Sequence, residues 1–457
     1  MPRLRVVSRE LRLPYPPSEV FAWHLRPGAF ARLQPPWSPV TLLSQRGGVA
    51  DGGEVELSVP ILGPLRRRWL ARHEGFVAGR EFRDRQITGP FSDWLHIHRV
   101  RAEGTGCVLE DQIEYRLPGG ALGRYLGQDL VERQLARVWI HRHRRLRQDL
   151  DRHAAARGRR PLRVAISGAT GLIGSALAAF LTSGGHRVQR LVRGTATGDD
   201  IAWEPGRAID SAAIEGCDAV VHLAGRSVAT RWDQATKDDI RRSRVDATAH
   251  LATALAGLRT PPRVLICASA VGIYGDRGDQ PVKEDSALGS GFLADVCRAW
   301  EAACEPARQA GIRVVNPRIG VVVAGNGGAL AKMLTPARLG LTGPIGGGRQ
   351  WMSWIGLDDA VGALHHLLLV ADEVEGPVDL VAPEPVTNAA FMRTLGRVLR
   401  RPAALPMPRA AIEVLFGEMG RETILASTRV LPGKLLAHGF PFLQPDLATA
   451  FRCELGY

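Results

Sequence analysis

One stretch limits the folds open to this chain more than any other. Gly168-Ala169-Thr170-Gly171-Leu172-Ile173-Gly174 follows a buried-strand run, Leu162 to Ser167, and opens a helical run, Ser175 to Thr182. The three glycines have separate tasks. The first permits a tight turn, the second lets backbone approach a pyrophosphate, and the third lets helix pack against strand. Unpaired N–H groups and the positive end of the helix dipole then favour a bound phosphate. A second strand, Arg187 to Val192, completes the order that a dinucleotide site needs.

That second strand ends in Arg193, 19 residues beyond Gly174. An acidic residue there would accept a hydrogen bond from the ribose 2′-hydroxyl of NAD, whereas an arginine suits the 2′-phosphate of NADP. Arg190 is placed to assist. NADP(H) is therefore the expected cofactor, held by Gly168, Ala169, Thr170, Gly171, Leu172, Ile173 and Arg193.

The surrounding pattern agrees with a doubly wound α/β fold. Buried-strand runs at Val164 to Ile166, Ala219 to Leu223, Val264 to Ile266, Val314-Val315 and Val321 to Val323 alternate with helical stretches. Such alternation predicts a mainly parallel sheet covered on both faces. After about Gly376 the chain turns Pro-rich with short helices, among them Asn388 to Arg400. An extension of this kind is expected on the substrate side of the cleft.

Residues before about 155 follow a different period. Glu54 to Val59, Trp94 to His98 and Leu109 to Tyr115 alternate, with breaks at Gly47-Gly48, Gly52-Gly53 and Gly104 to Gly106. Period two predicts an antiparallel sheet. After Pro118-Gly119-Gly120, residues Leu122, Tyr125, Leu126, Leu130, Leu135, Val138, Leu146 and Leu150 form one apolar stripe on a helix of about 30 residues. Ala154 to Pro161 is the linker. The expected domains are thus 1–155, an α+β ligand-binding domain; 162–385, the cofactor domain; and 386–457, a helical extension.

Composition narrows the function classes. Residues 1–160 hold 28 Arg or Lys against 17 Asp or Glu, and the remainder 31 against 29. The basicity peaks at His141 to Arg147. With 55 arginines and 4 lysines in the chain, it is read as a solvated helix face in an Arg-rich protein, and no nucleic-acid partner is expected. No apolar run reaches the 18 residues of a membrane span. The first dozen residues, with Arg3, Arg5, Arg9, Glu10 and Arg12, are no signal peptide. Six cysteines without paired or metal-type spacing predict a reduced, cytoplasmic setting.

Gly168 to Gly174, His222-Leu223-Ala224-Gly225 and Ala268 to Gly275 resemble extended short-chain dehydrogenase/reductases of the epimerase/dehydratase group, which carry a Rossmann domain. Phe292 to Cys297 with Trp300-Glu301, Trp351 to Trp354 and Gly417 to Gly420 resemble a bacterial branch related to a plastid-division protein of plants. That branch ends in a domain of unknown function, similar here to Pro406 to Phe451 through Leu431 to Leu436 and Gly439-Phe440. Residues 1–155 resemble the helix-grip (START-related, SRPBCC-like) fold through their layout and through Trp23-His24, Arg26-Pro27-Gly28 and Pro35-Pro36-Trp37. That resemblance implies a sheet wrapped on a long helix around an apolar cavity for a hydrophobic ligand.

The resemblance also exposes a gap. Short-chain dehydrogenases pair Tyr and Lys four residues apart, the lysine lowering the tyrosine pKa. None of the tyrosines (15, 115, 125, 274 and 457) has Lys four residues later. Matching the family helix places Leu293 and Cys297 at those two positions. Ser269 matches the family serine, and Tyr274 is the tyrosine left as an alternative acid; both are the expected catalytic residues. Leu223, Ala224, Gly225, Ser269 and Pro317 are expected to line the cofactor. Arg318 faces either substrate or an ion-pair partner. Trp351 and Trp354 cap a cleft or belong to the core. Trp94, His96 and His98 share a strand face, but no carboxylate or cysteine cluster accompanies them in sequence, so no metal is expected. The leading expectation is an NADP(H)-dependent oxidoreductase, epimerase or dehydratase acting on a small molecule. The alternatives are a cofactor-binding sensor or scaffold without turnover, and a lipid or isoprenoid carrier.

Overall fold

The computed structural model describes residues 4–38, 40–62 and 65–457; Arg3 lies outside the described residues. The chain separates into two compact units. One comprises residues 1–155 with 182–185 and Gly456; the other comprises 156–181, 186–455 and Tyr457.

The first unit is built on a seven-stranded antiparallel sheet. Its elements are β1 (Arg5–Leu13), α1 (Pro17–Leu25), α2 (Ala29–Leu33), β2 (Thr41–Arg46), β3 (Glu54–Leu62), β4 (Leu65–Val77), β5 (Glu81–Thr88), β6 (Asp93–Glu103), β7 (Gly106–Arg116) and α3 (Gly120–Ala155). The strand order is β1-β7-β6-β5-β4-β3-β2. Along β7, buried Leu109, Asp111, Ile113 and Tyr115 alternate with half-buried Glu110, Gln112, Glu114 and Arg116, as a pleat with one covered face requires. The inner face gathers Phe21, Trp23, Phe82, Val100, Leu109, Leu146 and Leu150. Arg32 and Asp149, both buried, join α2 to α3 through two parallel hydrogen bonds of 2.7 Å.

The stripe on α3 behaves differently along its length. Leu146 and Leu150 are buried, whereas Leu122, Tyr125, Leu126 and Leu130 are exposed, Tyr125 by 86%. The helix has 36 residues and so runs about 54 Å, against about 36 Å for an eleven-residue strand. Its first half outruns the cover.

The second unit holds a parallel sheet in the order β10-β9-β8-β11-β12-β15-β13, with β19 paired to β15. Its chain order is β8 (Arg163–Ser167), α4 (Leu172–Ser183), β9 (Arg187–Val192), β10 (Ile201–Ala202), α5 (Ser211–Ile214), β11 (Ala219–His222), α6 (Gln234–Arg242), α7 (Val245–Ala256), β12 (Val264–Cys267), β13 (Ser269–Ala270), β14 (Pro281–Val282), α8 (Phe292–Ala302), α9 (Glu305–Gln309), β15 (Arg313–Ile319), β16 (Val321–Val323), α10 (Gly328–Arg338), β17 (Trp351–Met352), β18 (Trp354–Gly356), α11 (Leu357–Leu369) and β19 (Gly376–Leu380). Strand parity sorts the core into two layers. Val164, Ile166, Val221 and Ile266 pack with Leu177, Phe180 and Leu364. Ala165, Val220 and Leu265 pack on the other face with Leu251, Leu255 and Trp300.

One expectation needs correction. Val321 to Val323 pairs with Trp354–Gly356 in a separate two-stranded sheet rather than joining the main one. Of the two readings of Trp354, the core holds: it is fully buried, its indole donating to the Glu384 carbonyl. Trp351 is half-buried beneath the Arg429 guanidinium, 4.4 Å from its ring centre. Among the described residues no helix is long and apolar enough to cross a membrane.

A buried polar network sits where β13, β15 and β19 meet. Arg318 pairs with Glu301 through bonds of 2.8 and 2.9 Å and donates to the Tyr274 hydroxyl at 2.8 Å. That hydroxyl lies 2.9 Å from both oxygens of Asp379, a fully buried carboxyl. Burial, then the Glu284 carboxylate, raise the Asp379 pKa to about 8, against about 3.9 in the unfolded chain. The folded state therefore holds one more proton between those values, and stability falls as pH rises through that window. In thermal melts, the Asp379→Asn protein should lose less stability than the parent between about pH 5 and pH 8. Equal slopes for the two proteins would mean that Asp379 is ionised throughout.

Candidate functional site

The carboxyl ends of β8 and β11 border the point where strand order reverses, the crevice in which doubly wound sheets hold ligands. Gly168 leaves β8 at φ +69°. A Cβ there would stand 2.8 Å from the Leu223 carbonyl carbon and 2.9 Å from the Ala224 nitrogen, so only glycine allows the two strand ends this close. At Gly174 a Cβ would stand 2.2 Å from the Gly168 carbonyl oxygen, which keeps α4 tight on the turn. The Gly171 amide donates to the Gly168 carbonyl at 2.9 Å. Thr170 and Gly171 are exposed, while Leu172 and Ile173 are half-buried. The result is an open cradle at a helix start, fitted to a pyrophosphate.

The strand ends are also tied by side chains. Ser167 Oγ and His222 Nδ1 are 2.6 Å apart, and the Ala224 amide donates to the same oxygen at 3.3 Å. Burial alone pulls the His222 pKa down to about 4, so it is a neutral brace. Beyond it, Leu223 and Ala224 are half-buried and Gly225 is exposed.

At the end of β9 the two arginines separate in role. Arg190 is engaged bidentately by Asp200, at 2.8 and 2.6 Å. Arg193 is exposed in the bend after the strand, with no ion pair to a carboxylate among the described residues. The cation available at that strand end is therefore Arg193.

Ser269 begins β13 and Pro317 lies in β15. β12 pairs with β15 as far as Val315, and β13 resumes the pairing at Arg318. Pro317, which has no N–H to donate, occupies the gap in that ladder, and both residues reach the carboxyl edge of the sheet together. Ser269 is buried, and its Oγ has no partner of hydrogen-bond geometry. It adjoins the Cys297 thiol, which burial pushes up to about 11 against the opposing pull of Arg244. Leu293, one turn earlier on α8, packs 3.5 Å from the place where a Gly272 Cβ would stand. Tyr274 is fully buried, and its hydroxyl is held by Arg318 and Asp379 as described above. The hydroxyl also lies 3.0 Å from the Lys283 carbonyl oxygen, and Arg318 is engaged in the same network.

Two parts of this site escaped the sequence reading. Arg244, at the start of α7, has its guanidinium 3.1 Å from where a Gly225 Cβ would stand and 5.1 Å above the Trp300 ring. Burial lowers its pKa, and the Cys297 thiol is what acts against that shift. No spacing rule links residue 244 to 297. The other is Glu422, whose carboxylate accepts from the Phe292 and Leu293 amides at 2.9 Å each, capping the helix that carries Cys297.

In the first unit, His96 and His98 are buried on β6. The cluster absent from the local sequence is present in space, because β5 brings Asp84 and β7 brings Asp111 beside them. Burial opposes protonation of His96, but the neighbouring carboxylates of Asp111 and Asp84 outweigh it and raise the pKa to about 8. Burial, then the His96 charge, lower His98 to about 4.

Three known families match parts of the chain. The NAD dependent epimerase/dehydratase family matches residues 164–381, a domain of unknown function (DUF1731) matches 407–453, and the polyketide cyclase/dehydrase and lipid transport family matches 13–138. An epimerase family protein of Mycobacterium bovis is 42% identical over 299 residues, which is 64% of this chain and 96% of that protein. The crystal structure of a nucleoside-diphosphate sugar epimerase from Corynebacterium glutamicum superposes with a TM-score of 0.83 at 34% identity, covering 99% of this chain and 90% of that one. The human epimerase family protein SDR39U1, crystallised with NADPH, gives a TM-score of 0.59 at 34% identity, covering 64% of this chain and 99% of that one. The glycine cradle, the doubly wound sheet and these likenesses agree, and the chain belongs to the NAD-dependent epimerase/dehydratase family of short-chain dehydrogenase/reductases.

Proposed function

We propose that residues 162–385 bind NADP(H) and act on a small molecule by oxidoreduction, epimerisation or dehydration, with residues 386–457 closing the substrate side. The observation that carries the choice of cofactor is Arg193, exposed at the end of β9 while Arg190 is engaged by Asp200. Human SDR39U1 with bound NADPH supports the same choice. Bound cofactor supplies a hydride donor or acceptor at its nicotinamide. The chain's own part is to hold and orient it: Gly168, Ala169, Thr170, Gly171, Leu172 and Ile173 form the pyrophosphate cradle, Leu223, Ala224 and Gly225 the facing wall, and Ser269 and Pro317 the nicotinamide end.

Proton handling falls to other groups than the usual pair. With Leu293 and Cys297 in place of the usual pair, we assign Ser269 to the substrate oxygen and Arg244 to the positive charge that the missing lysine would bring. Tyr274 is assigned a positioning task, because Asp379 and Arg318 engage its hydroxyl. Loss of the Tyr/Lys pair is also what favours the second reading, a cofactor-bound sensor or scaffold without turnover. The six cysteines, without paired or metal-type spacing in the sequence, support assignment to the cytoplasm.

For residues 1–155 we propose a hydrophobic small-molecule ligand. The match to the polyketide cyclase and lipid transport family supports it, and the buried His and Asp side chains call for a ligand with one polar end.

Three outcomes are expected. Charge-assisted hydrogen bonds contribute about 1.5–3 kcal/mol each, so Arg193 should favour NADPH over NADH by about one to two orders of magnitude. Arg193→Glu should erase most of that preference in calorimetric titrations, and equal affinities in the parent protein would reduce Arg193 to a surface charge. Next, absorbance at the NADPH band should barely change when NADP+ is mixed with ordinary alcohols or nucleotide sugars, or NADPH with ketones. Rapid turnover of any of them would mean that another group carries the proton. Finally, native mass spectrometry of the full chain should retain an amphiphilic guest, and failure of every fluorescent lipid to bind would remove the ligand assigned to the first domain.

A further inference from the structure

The first unit contains a second constellation, independent of the cofactor crevice. Asp84 pairs with His96 across β5 and β6, and His98 pairs with Asp111 across β6 and β7. Directly opposed residues share a sheet face, as do residues two apart on one strand. All four side chains therefore project from the same face of the three neighbouring strands. His96, His98 and Asp111 are each more than nine-tenths buried.

Their atoms fall into two sides. The imidazoles of His96 and His98 have ring centres 3.9 Å apart, and each shows one nitrogen to each carboxylate. On one side Asp84 Oδ2 lies 3.4 Å from His96 Nδ1 and 3.9 Å from His98 Nε2. On the other, Asp111 Oδ1 lies 3.6 Å from His96 Nε2 and 2.5 Å from His98 Nδ1. The remaining oxygen of Asp111 is 3.0 Å from His143 Nε2 on α3. Yet His96 Nε2, His98 Nδ1 and Asp111 Oδ1 lack any partner of hydrogen-bond geometry. Buried polar atoms left in that condition are rare.

The opposite, Asp84 side of the two imidazoles carries the donor atoms of a metal site. We propose that Asp84, His96 and His98 form a three-ligand site for a divalent first-row metal of the Zn2+ type. A ligand atom from each of these side chains lies within 4.8 Å of the other two. Around a tetrahedral ion with bonds of about 2.0–2.2 Å, donor atoms stand about 3.4 Å apart. The 3.4 and 3.9 Å separations are within about half an ångström of that. Two imidazole nitrogens and a carboxylate oxygen are a donor set that such ions take, with a further position left for water or a ligand.

Asp111 then has a distinct task. Metal-bound histidines usually donate their far N–H to a carboxylate, which fixes tautomer and ring orientation. Asp111 Oδ1 is the carboxylate oxygen on that far side, 3.6 Å from His96 Nε2 and 2.5 Å from His98 Nδ1, and a proton on each of those nitrogens would leave the lone pairs of His96 Nδ1 and His98 Nε2 toward Asp84. His143 steadies Asp111 from the helix. The polar end of a carbonyl or carboxylate ligand would complete the coordination at the open position.

The test uses the full chain without a histidine tag, treated with chelator and titrated with Co2+. Visible absorption of the ion reports its coordination, and Zn2+ is then added in competition. One Co2+ per chain, displaced by Zn2+, is expected for the parent protein. Asp84→Asn and His96→Gln should abolish the signal, with circular dichroism and thermal melting confirming that each variant is folded. Asp111→Asn should weaken Co2+ binding by about 10- to 100-fold. Uptake by the parent no greater than by folded Asp84→Asn, or identical uptake by all four proteins, would overturn the site and leave the four residues as a plain ion-pair network.

Discussion

The carbonyl of Leu223 and the amide of Ala224 decide where the cofactor turn can lie. A side chain at residue 168 would collide with both, so β8 and β11 approach only because the chain has glycine there. From that contact the rest of the second unit is laid out. α4 must start at once and must carry Gly174 against the same turn. The Ser167–His222 bond then holds the two strand ends in register. The sheet is parallel and covered on both faces, so the inner runs Val164 to Ile166, Ala219 to Val221 and Val264 to Ile266 are apolar and offer no polar side chains of their own. The polar work is concentrated at the carboxyl edge.

That concentration explains which parts of the site were legible in the sequence. The glycine cradle and Arg193 follow one another along the chain, and local period places them. The alternating strands of the first unit were equally readable, because one residue in two is buried. Arg244 was not readable, since its guanidinium lies beside Gly225, 19 residues earlier in the chain. The position of Tyr274 was hidden for the same reason: Asp379, its partner, lies 105 positions downstream. A tyrosine beside a family motif looks available in sequence and is committed once folded.

Asp84 and Asp111 make the same point in the sheet. Neither is near His96 or His98 in any metal-type spacing, yet strand register places Asp84 opposite His96 and Asp111 opposite His98. Alternation told which residues of β7 face inward, and Asp111 occupies one of those positions between Leu109 and Ile113. An acidic residue at an inward position was the available signal. It became informative only with the register of the neighbouring strands.

The cap on α8 bears on how this family can be recombined. The helix that carries Leu293 and Cys297 begins with two amides satisfied by Glu422, a residue from the terminal segment. During synthesis the crevice wall is drawn long before its first turn is anchored, and the anchor arrives only when the last tenth of the chain emerges. The two segments are therefore coupled through that cap. A Rossmann core borrowed without its terminal segment would bring along a wall whose hinge pin had been left behind.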